Sequence, residues 1–299
     1  MILTQKLSKV FGDLKAVNAV DLQVSTGEIF GLVGPDGAGK TTLMRMVLGI
    51  LDPSAGAVTV MGNSRIESVK NSIGYIPQKF SLYRDLSVME NIRLIGSLYG
   101  ASSAAIKTRA EEILTFTNLL PFADRLADNL SGGMKQKLAL AAGLMHKPKL
   151  FFLDEPTTGV DPVSRREFWQ MLYRLNKEGM TVFVSTPYMD EAELCSRVAF
   201  MHECRIVSCA SPEQLRERYP YKILELTISG PRIKQRLQNC GLVDINAFGE
   251  KYHLVVNDPI QAKQEVTSAL TRDGFDSFHL EQVEPTLEDV FVALAGEAA

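Results

Sequence analysis

The nine residues GPDGAGKTT, Gly34–Thr42, set three glycines, a lysine and two adjacent hydroxyl side chains in an order suited to gripping a phosphate chain. Glycine lets the backbone of Gly34, Gly37 and Gly39 wrap close to phosphate oxygens with N–H groups turned inward. Lys40 reaches the β- and γ-phosphates of a nucleotide, and Thr41 sets its hydroxyl on Mg²⁺. Pro35, Asp36, Ala38 and Thr42 complete the loop. A second group, FFLDEP at Phe151–Pro156, ends an apolar run in two acids. Asp154 can hold magnesium through water, and Glu155 stands where a general base would meet an attacking water. The third group is LSGGMKQ, Leu130–Gln136, another glycine-rich turn opening a helix. Ser131, the N–H groups of Gly132 and Gly133, and the positive helix end form a second anion-binding surface in the motif that runs on to Gln136. One ATP cannot sit on both surfaces, so the second is expected to close over ATP held by another copy or a partner.

Short apolar runs alternating with helices must position these groups. Residues 1–30 read as antiparallel strands leading into a β-run at Ile29–Val33, followed by the phosphate loop and a helix from about Lys40 to Gly49. Further strands are expected near Ala57–Met61 and at Ile73–Ile76. Ser87 with Glu90 forms a capping-box pattern opening a helix through about Tyr99. A helix over about Ser103–Phe116 and one from LSGGMKQ to His146 complete a helical insert, about 79–146. The α/β core resumes with Leu150–Leu153, a helix near Arg165–Glu178 and a strand at Thr181–Ser185, a pattern expected of a parallel sheet. From about Tyr221 the order becomes βαββαβ, the ferredoxin-like arrangement, closed by a helix in TLEDVFVALAG. Two domains are therefore expected, 1–218 and 219–299.

Composition narrows the function classes. A hydrophobic content of 45% supports a sizeable core. A net charge of −3 and a pI near 5.9 leave no basic footprint for nucleic acid. The longest apolar run, Leu138–Met145, falls well short of the roughly 20 residues that cross a bilayer. No signal-peptide h-region is visible in MILTQKLSKVFG, so a cytosolic chain acting on a membrane through a partner is expected. The four cysteines form no CxxC pair and read as reduced thiols.

In this order the motifs resemble the nucleotide-binding subunit of an ABC transporter, densely from Val10 to about Leu215. LYRDLSVMENI, TTGVDPVSRREFW and PTLEDVFVALAG are similar to ATPases of ABC-2-type exporters. GPDGAGKTTLMRM and PQKFSLYRDLSVMENI particularly resemble the N-terminal ATPase half of YbhF-type multidrug exporters. The resemblance implies an α/β fold: a P-loop, RecA-like cassette with antiparallel β and α-helical subdomains, plus the C-terminal ferredoxin-like α+β domain. It implies ATP and Mg²⁺ as ligands, and it assigns further roles by position. Gln78 would contact magnesium or the attacking water, Asp161 would cross a dimer interface, and Phe11 would stack on adenine. It implies a second ABC ATPase subunit, an ABC-2-type permease carrying drug-like or lipophilic molecules outward, and a peripheral place on the cytoplasmic face of the membrane.

Two positions depart from the pattern. Asp36 stands where asparagine is usual, and STPYMDEAE has Pro187 where relatives carry a histidine that donates to the γ-phosphate. Proline has no donor in its side chain or at its nitrogen. Cys204 and Ala210, where relatives often have glycine, are expected to alter turn geometry. An ATP-hydrolysing engine is the leading reading, and an ATP-gated module that clamps nucleotide but hydrolyses little is the alternative.

Overall fold

Hydrophobic strands of two kinds build the larger part of the chain, which a computed structural model describes over residues 1–275 and 277–297. β1 (Ile2–Phe11) and β2 (Leu14–Val24) mix buried and exposed side chains, as in a sheet with one wet face, and pair antiparallel. β3 (Ile29–Val33) is buried at every residue and leads through the glycine loop into α1 (Lys40–Val47). β4 (Ala55–Val60) pairs antiparallel with β1, closing a three-stranded sheet in the order β2-β1-β4.

β5 (Ile73–Ile76) precedes the helical insert of α2 (Val88–Leu98), α3 (Ser103–Phe116) and α4 (Gly132–Gly143). The expected capping box opens α2: Ser87 Oγ accepts from the Glu90 N–H, and the Glu90 carboxylate accepts from the Ser87 N–H. β6 (Leu150–Asp154), α5 (Pro162–Lys177), β7 (Thr181–Thr186), α6 (Met189–Ala192), β8 (Arg197–His202) and β9 (Arg205–Ala210) follow, then α7 (Pro212–Glu217). The main sheet runs β5-β6-β7-β3-β8-β9, parallel except for β9. Phe183 on β7 joins two neighbours across the sheet, its ring centroid 5.4 Å from Phe30 and 5.3 Å from Phe152.

Several boundaries differ from the sequence reading for local reasons. α5 begins at Pro162 rather than near Arg165, because the Asp161 carboxylate caps it by accepting from the Ser164 N–H at 2.9 Å. α4 stops at Gly143, short of His146. Residues 189–217 carry two strands and two short helices that the motif reading passed over. Cys204 does occupy a turn, at φ 64°, but Ala210 lies in β9 opposite Val198, so it is a strand residue rather than a turn residue.

The chain divides into Met1–Pro212 and Glu213–Ala299. In the second unit β10 (Lys222–Thr227), α8 (Ile233–Arg236), β11 (Asp244–Phe248), β12 (Lys251–Val256), α9 (Pro259–Arg272) and β13 (His279–Val283) form an antiparallel sheet in the order β11-β12-β10-β13. That is the ferredoxin-like topology. α10 (Leu287–Glu297) follows. Leu224, Leu226, Leu254 and Val256 from the strands pack on Val266 and Leu270 of α9. α8 is a single short turn of helix; Arg232, just before it, takes a left-handed φ of 58°.

Candidate nucleotide site

The phosphate loop leaves the buried strand β3 and is held by packing on its outer side. A Cβ on Gly34 would sit 2.1 Å from the Met201 carbonyl oxygen, and one on Gly39 2.3 Å from that of Ala16. Gly37 and Gly39 adopt φ of 79° and 101°, where side chains are disfavoured. Lys40, at the start of α1, is almost fully buried. Its ammonium donates to the carbonyls of Gly34 at 2.8 Å and Pro35 at 3.0 Å and lies 3.1 Å from Glu155 Oε1.

The two acids sit at the end of β6, beside the end of β7. Asp154 Oδ1 accepts from the hydroxyls of Thr41 at 3.0 Å and Ser185 at 2.7 Å, while Oδ2 is buried with no partner. Burial raises the pKa of this carboxyl, and the Ser185 and Thr41 bonds oppose the rise. A bare, buried carboxylate oxygen next to a threonine hydroxyl is a donor set for a hard cation with oxygen ligands. No cluster of three or more His, Cys, Asp or Glu suited to a metal occurs among the described residues. A magnesium ion held by Asp154 and Thr41 would therefore complete its shell with phosphate and water.

Glu155 follows at a left-handed φ of 48°, strained for a residue with a side chain. Its N–H donates to both the carbonyl and the hydroxyl of Ser185, and its Oε2 accepts from Gln78 Nε2 at 2.9 Å. Gln78, just beyond β5, is thus brought onto the acid. Phe11, Asp36, Thr42, Gln78 and Glu155 share a cavity of about 410 Å³ with Cys204. The Phe11 ring is half exposed and carries the Lys9 ammonium 5.1 Å from its centroid.

The signature residues Ser131, Gly132, Gly133 and Gln136 do not line this cavity. Ser131 Oγ accepts from the Met134 N–H at 3.3 Å and caps α4. Gly133 packs against α5, a Cβ there falling 2.5 Å from Ser164 Cβ and Oγ, whereas a Cβ on Gly132 would meet only the Gly159 carbonyl oxygen at 3.9 Å. Asp161 lies beside this junction, its carboxyl held below the usual range by the backbone bond from Ser164.

Pro187 follows β7, and the two hydroxyls just before it are committed elsewhere. Ser185 donates to Asp154, and Thr186 donates to Glu191 Oε2 at 2.6 Å. The Tyr188 ring lies under the Arg165 guanidinium, 4.4 Å from its centroid. Glu191, 1% exposed, also accepts from Thr157 Oγ1 at 2.5 Å, tying the loop after Glu155 to the Pro187 turn. Motif reading missed both this carboxylate and the orienting role of Ser185. The available signal was a polar residue closing each of two adjacent buried strands.

Comparison with known proteins places these features. Residues 17–158 match the family described as ABC transporter, and residues 211–295 match the C-terminal domain of DrrA1-3-like ATP-binding proteins. The chain is 41% identical over 298 residues to the probable multidrug ABC transporter ATP-binding protein YbhF of Escherichia coli (strain K12), covering 96% of this chain and 50% of that protein. It therefore spans about half the length of that relative. It is 36% identical over 295 residues to the Nod factor export ATP-binding protein I of Rhizobium sp. (strain N33), covering 97% of this chain and 95% of that protein. A solved dimeric ATP-binding cassette in a post-hydrolysis state, bound to ADP and Pi, superimposes with a TM-score of 0.65 at 25% identity, over 71% of this chain and 98% of that one. With its phosphate loop, paired acids and signature turn set in this fold, and with a relative matched along nearly its whole length, the chain belongs to the ATP-binding proteins of ABC transporters.

Proposed function

We propose that this protein binds and hydrolyses ATP at a dimer interface to drive a separate membrane permease that exports drug-like or lipophilic molecules. The observation that carries this reading is the convergence of Lys40, Thr41, Glu155 and Gln78 on one cavity, with Asp154 accepting from Thr41 behind it and its Oδ2 buried and unpartnered. Thr41 and Asp154 would hold Mg²⁺, which supplies charge to steady the phosphate oxygens. Phe11 offers a flat face to adenine. Glu155, held by Ser185 and Gln78, would take a proton from water. The second anion surface, Ser131–Gly133, lies apart from this cavity and so would serve ATP held by a second ABC ATPase subunit, with Asp161 near the seam. No helix among the described residues is long and apolar enough to cross a membrane, which fits a peripheral subunit working beside an ABC-2-type permease at the cytoplasmic face. The Glu213–Ala299 unit carries no phosphate loop and would serve as an accessory domain contacting the partner ATPase.

Pro187 favours a second reading for the chain's own Walker face. With the Ser185 and Thr186 hydroxyls engaged elsewhere, neither stands free to replace the histidine donor, so this face would be slow. A heterodimer with a histidine-bearing subunit would then pair one slow and one active site. Copurification from membranes, with identification of the bound chains, tests both points. Recovery of a permease together with a second, histidine-bearing ATPase is the expected result. Recovery of this chain as a homodimer with full hydrolysis would remove the asymmetry, and recovery without any membrane protein would remove the transport role.

A further inference from the structure

The Lys40 ammonium donates to two loop carbonyls, Gly34 at 2.8 Å and Pro35 at 3.0 Å, and forms an ion pair with Glu155 Oε1 at 3.1 Å. A phosphate oxygen that reaches the ammonium competes with these three partners for it. The two carbonyls belong to the loop itself, whose path is fixed where Gly34 abuts the Met201 carbonyl. The third partner is a side chain that can move. It is also the only anionic partner of the three, so it is the one a phosphate replaces charge for charge.

We propose that Glu155 competes with nucleotide phosphate for Lys40, making it a determinant of nucleotide affinity as well as the base assigned above. This role rests on the nucleotide reading of the site. Several contacts build the pairing. Lys40 and Glu155 are 4% and 5% exposed, so little water screens the contact. Gln78 Nε2 donates to the other oxygen of Glu155, and the strained backbone at Glu155 is retained. The consequence is a coupling of two events. While Lys40 holds Oε1, that oxygen is unavailable to accept a proton from water. When a phosphate takes the ammonium, Oε1 is released, so occupation of the loop and liberation of the base are one exchange.

The test titrates ADP by calorimetry in EDTA, where neither hydrolysis nor magnesium contributes, into the wild type, Glu155→Gln, Lys40→Met and the double variant. Glu155→Gln should bind ADP about tenfold more tightly than the wild type, equivalent to about 1.4 kcal/mol. That gain should vanish in the Lys40→Met background, because there is no ammonium to compete for. Simple repulsion between carboxylate and phosphate predicts instead that the gain persists without Lys40, and that result would overturn the proposal. Equal affinities of wild type and Glu155→Gln would overturn it as well. Thermal melting without added nucleotide supplies a second measurement where Lys40→Met binds too weakly: Glu155→Gln should melt below the wild type, since one member of a buried pair is left alone, and an equal or higher melting temperature counts against the pair. No ADP binding by any variant would instead refute the nucleotide reading itself.

Discussion

Replacing Pro187 with histidine would put an imidazole donor where the family resemblance places one against the γ-phosphate. The two hydroxyls that end β7 are engaged elsewhere: Ser185 donates to Asp154 at 2.7 Å and Thr186 to Glu191 at 2.6 Å. A single preorganised donor to developing transition-state charge is worth about 2–4 kcal/mol, or roughly 30- to 900-fold in rate. The assay is phosphate release by the purified chain at saturating ATP and magnesium. The wild type should hydrolyse slowly, and Pro187→His should gain by a factor in that range. Pro187→Ala separates two contributions, because it restores a backbone N–H without an imidazole, and it should gain little. Full hydrolysis by the wild type alone, or equal gains from alanine and histidine, would refute the reasoning.

Gly133→Ala should lower the urea midpoint by the equivalent of about 1–3 kcal/mol, the usual range for overpacking, because its Cβ falls 2.5 Å from Ser164. Gly132→Ala, with its nearest contact at 3.9 Å, should change the midpoint little, and equal effects at the two positions would refute the packing account. In the C-terminal unit, His253 Nδ1 bonds the buried Asp289 carboxylate at 2.9 Å, which raises the histidine pKa, with Glu225 adding to the rise. Burial alone would raise Asp289, but bonds from His253 and Thr286 outweigh it and hold that carboxyl low. The histidine therefore contributes stability that is complete below its unfolded pKa of about 6.5 and is lost as pH rises through its folded pKa. Hydrogen-exchange protection of β12 and α10 should fall with rising pH across that window, and His253→Gln should flatten the profile.

Features carried by local pattern were legible in the sequence. The strand at Ile29–Val33, the helix over Ser103–Phe116 and the capping box at Ser87 follow from apolar spacing and end signals, and the βαββαβ order gave the ferredoxin-like sheet. Long-range geometry was not legible. Nothing in LDEP indicates that Ser185, 31 residues downstream, orients Asp154. Nor does anything in the phosphate loop indicate that Lys40 rests on Glu155. These contacts depend on β6, β7 and β3 lying side by side, and sheet order is a property of the whole chain. The Glu191 joint was hidden for a related reason. MDEAE reads as a solvated acidic turn until the fold buries one of its carboxylates between two threonines.

The position of β7 between β6 and β3 also has a consequence for how the protein is made. The Gly27 N–H finds its acceptor, the Thr181 hydroxyl, 154 residues later in the chain. At about 5–20 residues per second, the P-loop strand leaves the ribosome roughly 8 to 30 seconds before the strand that flanks it. For that interval IFGLV, destined for burial at every residue, has no β7 to join, and Asp154 in turn waits roughly 2 to 6 seconds for Ser185. The nucleotide pocket is therefore a late product of synthesis, and the early exposure of its central strand is where aggregation would compete with folding.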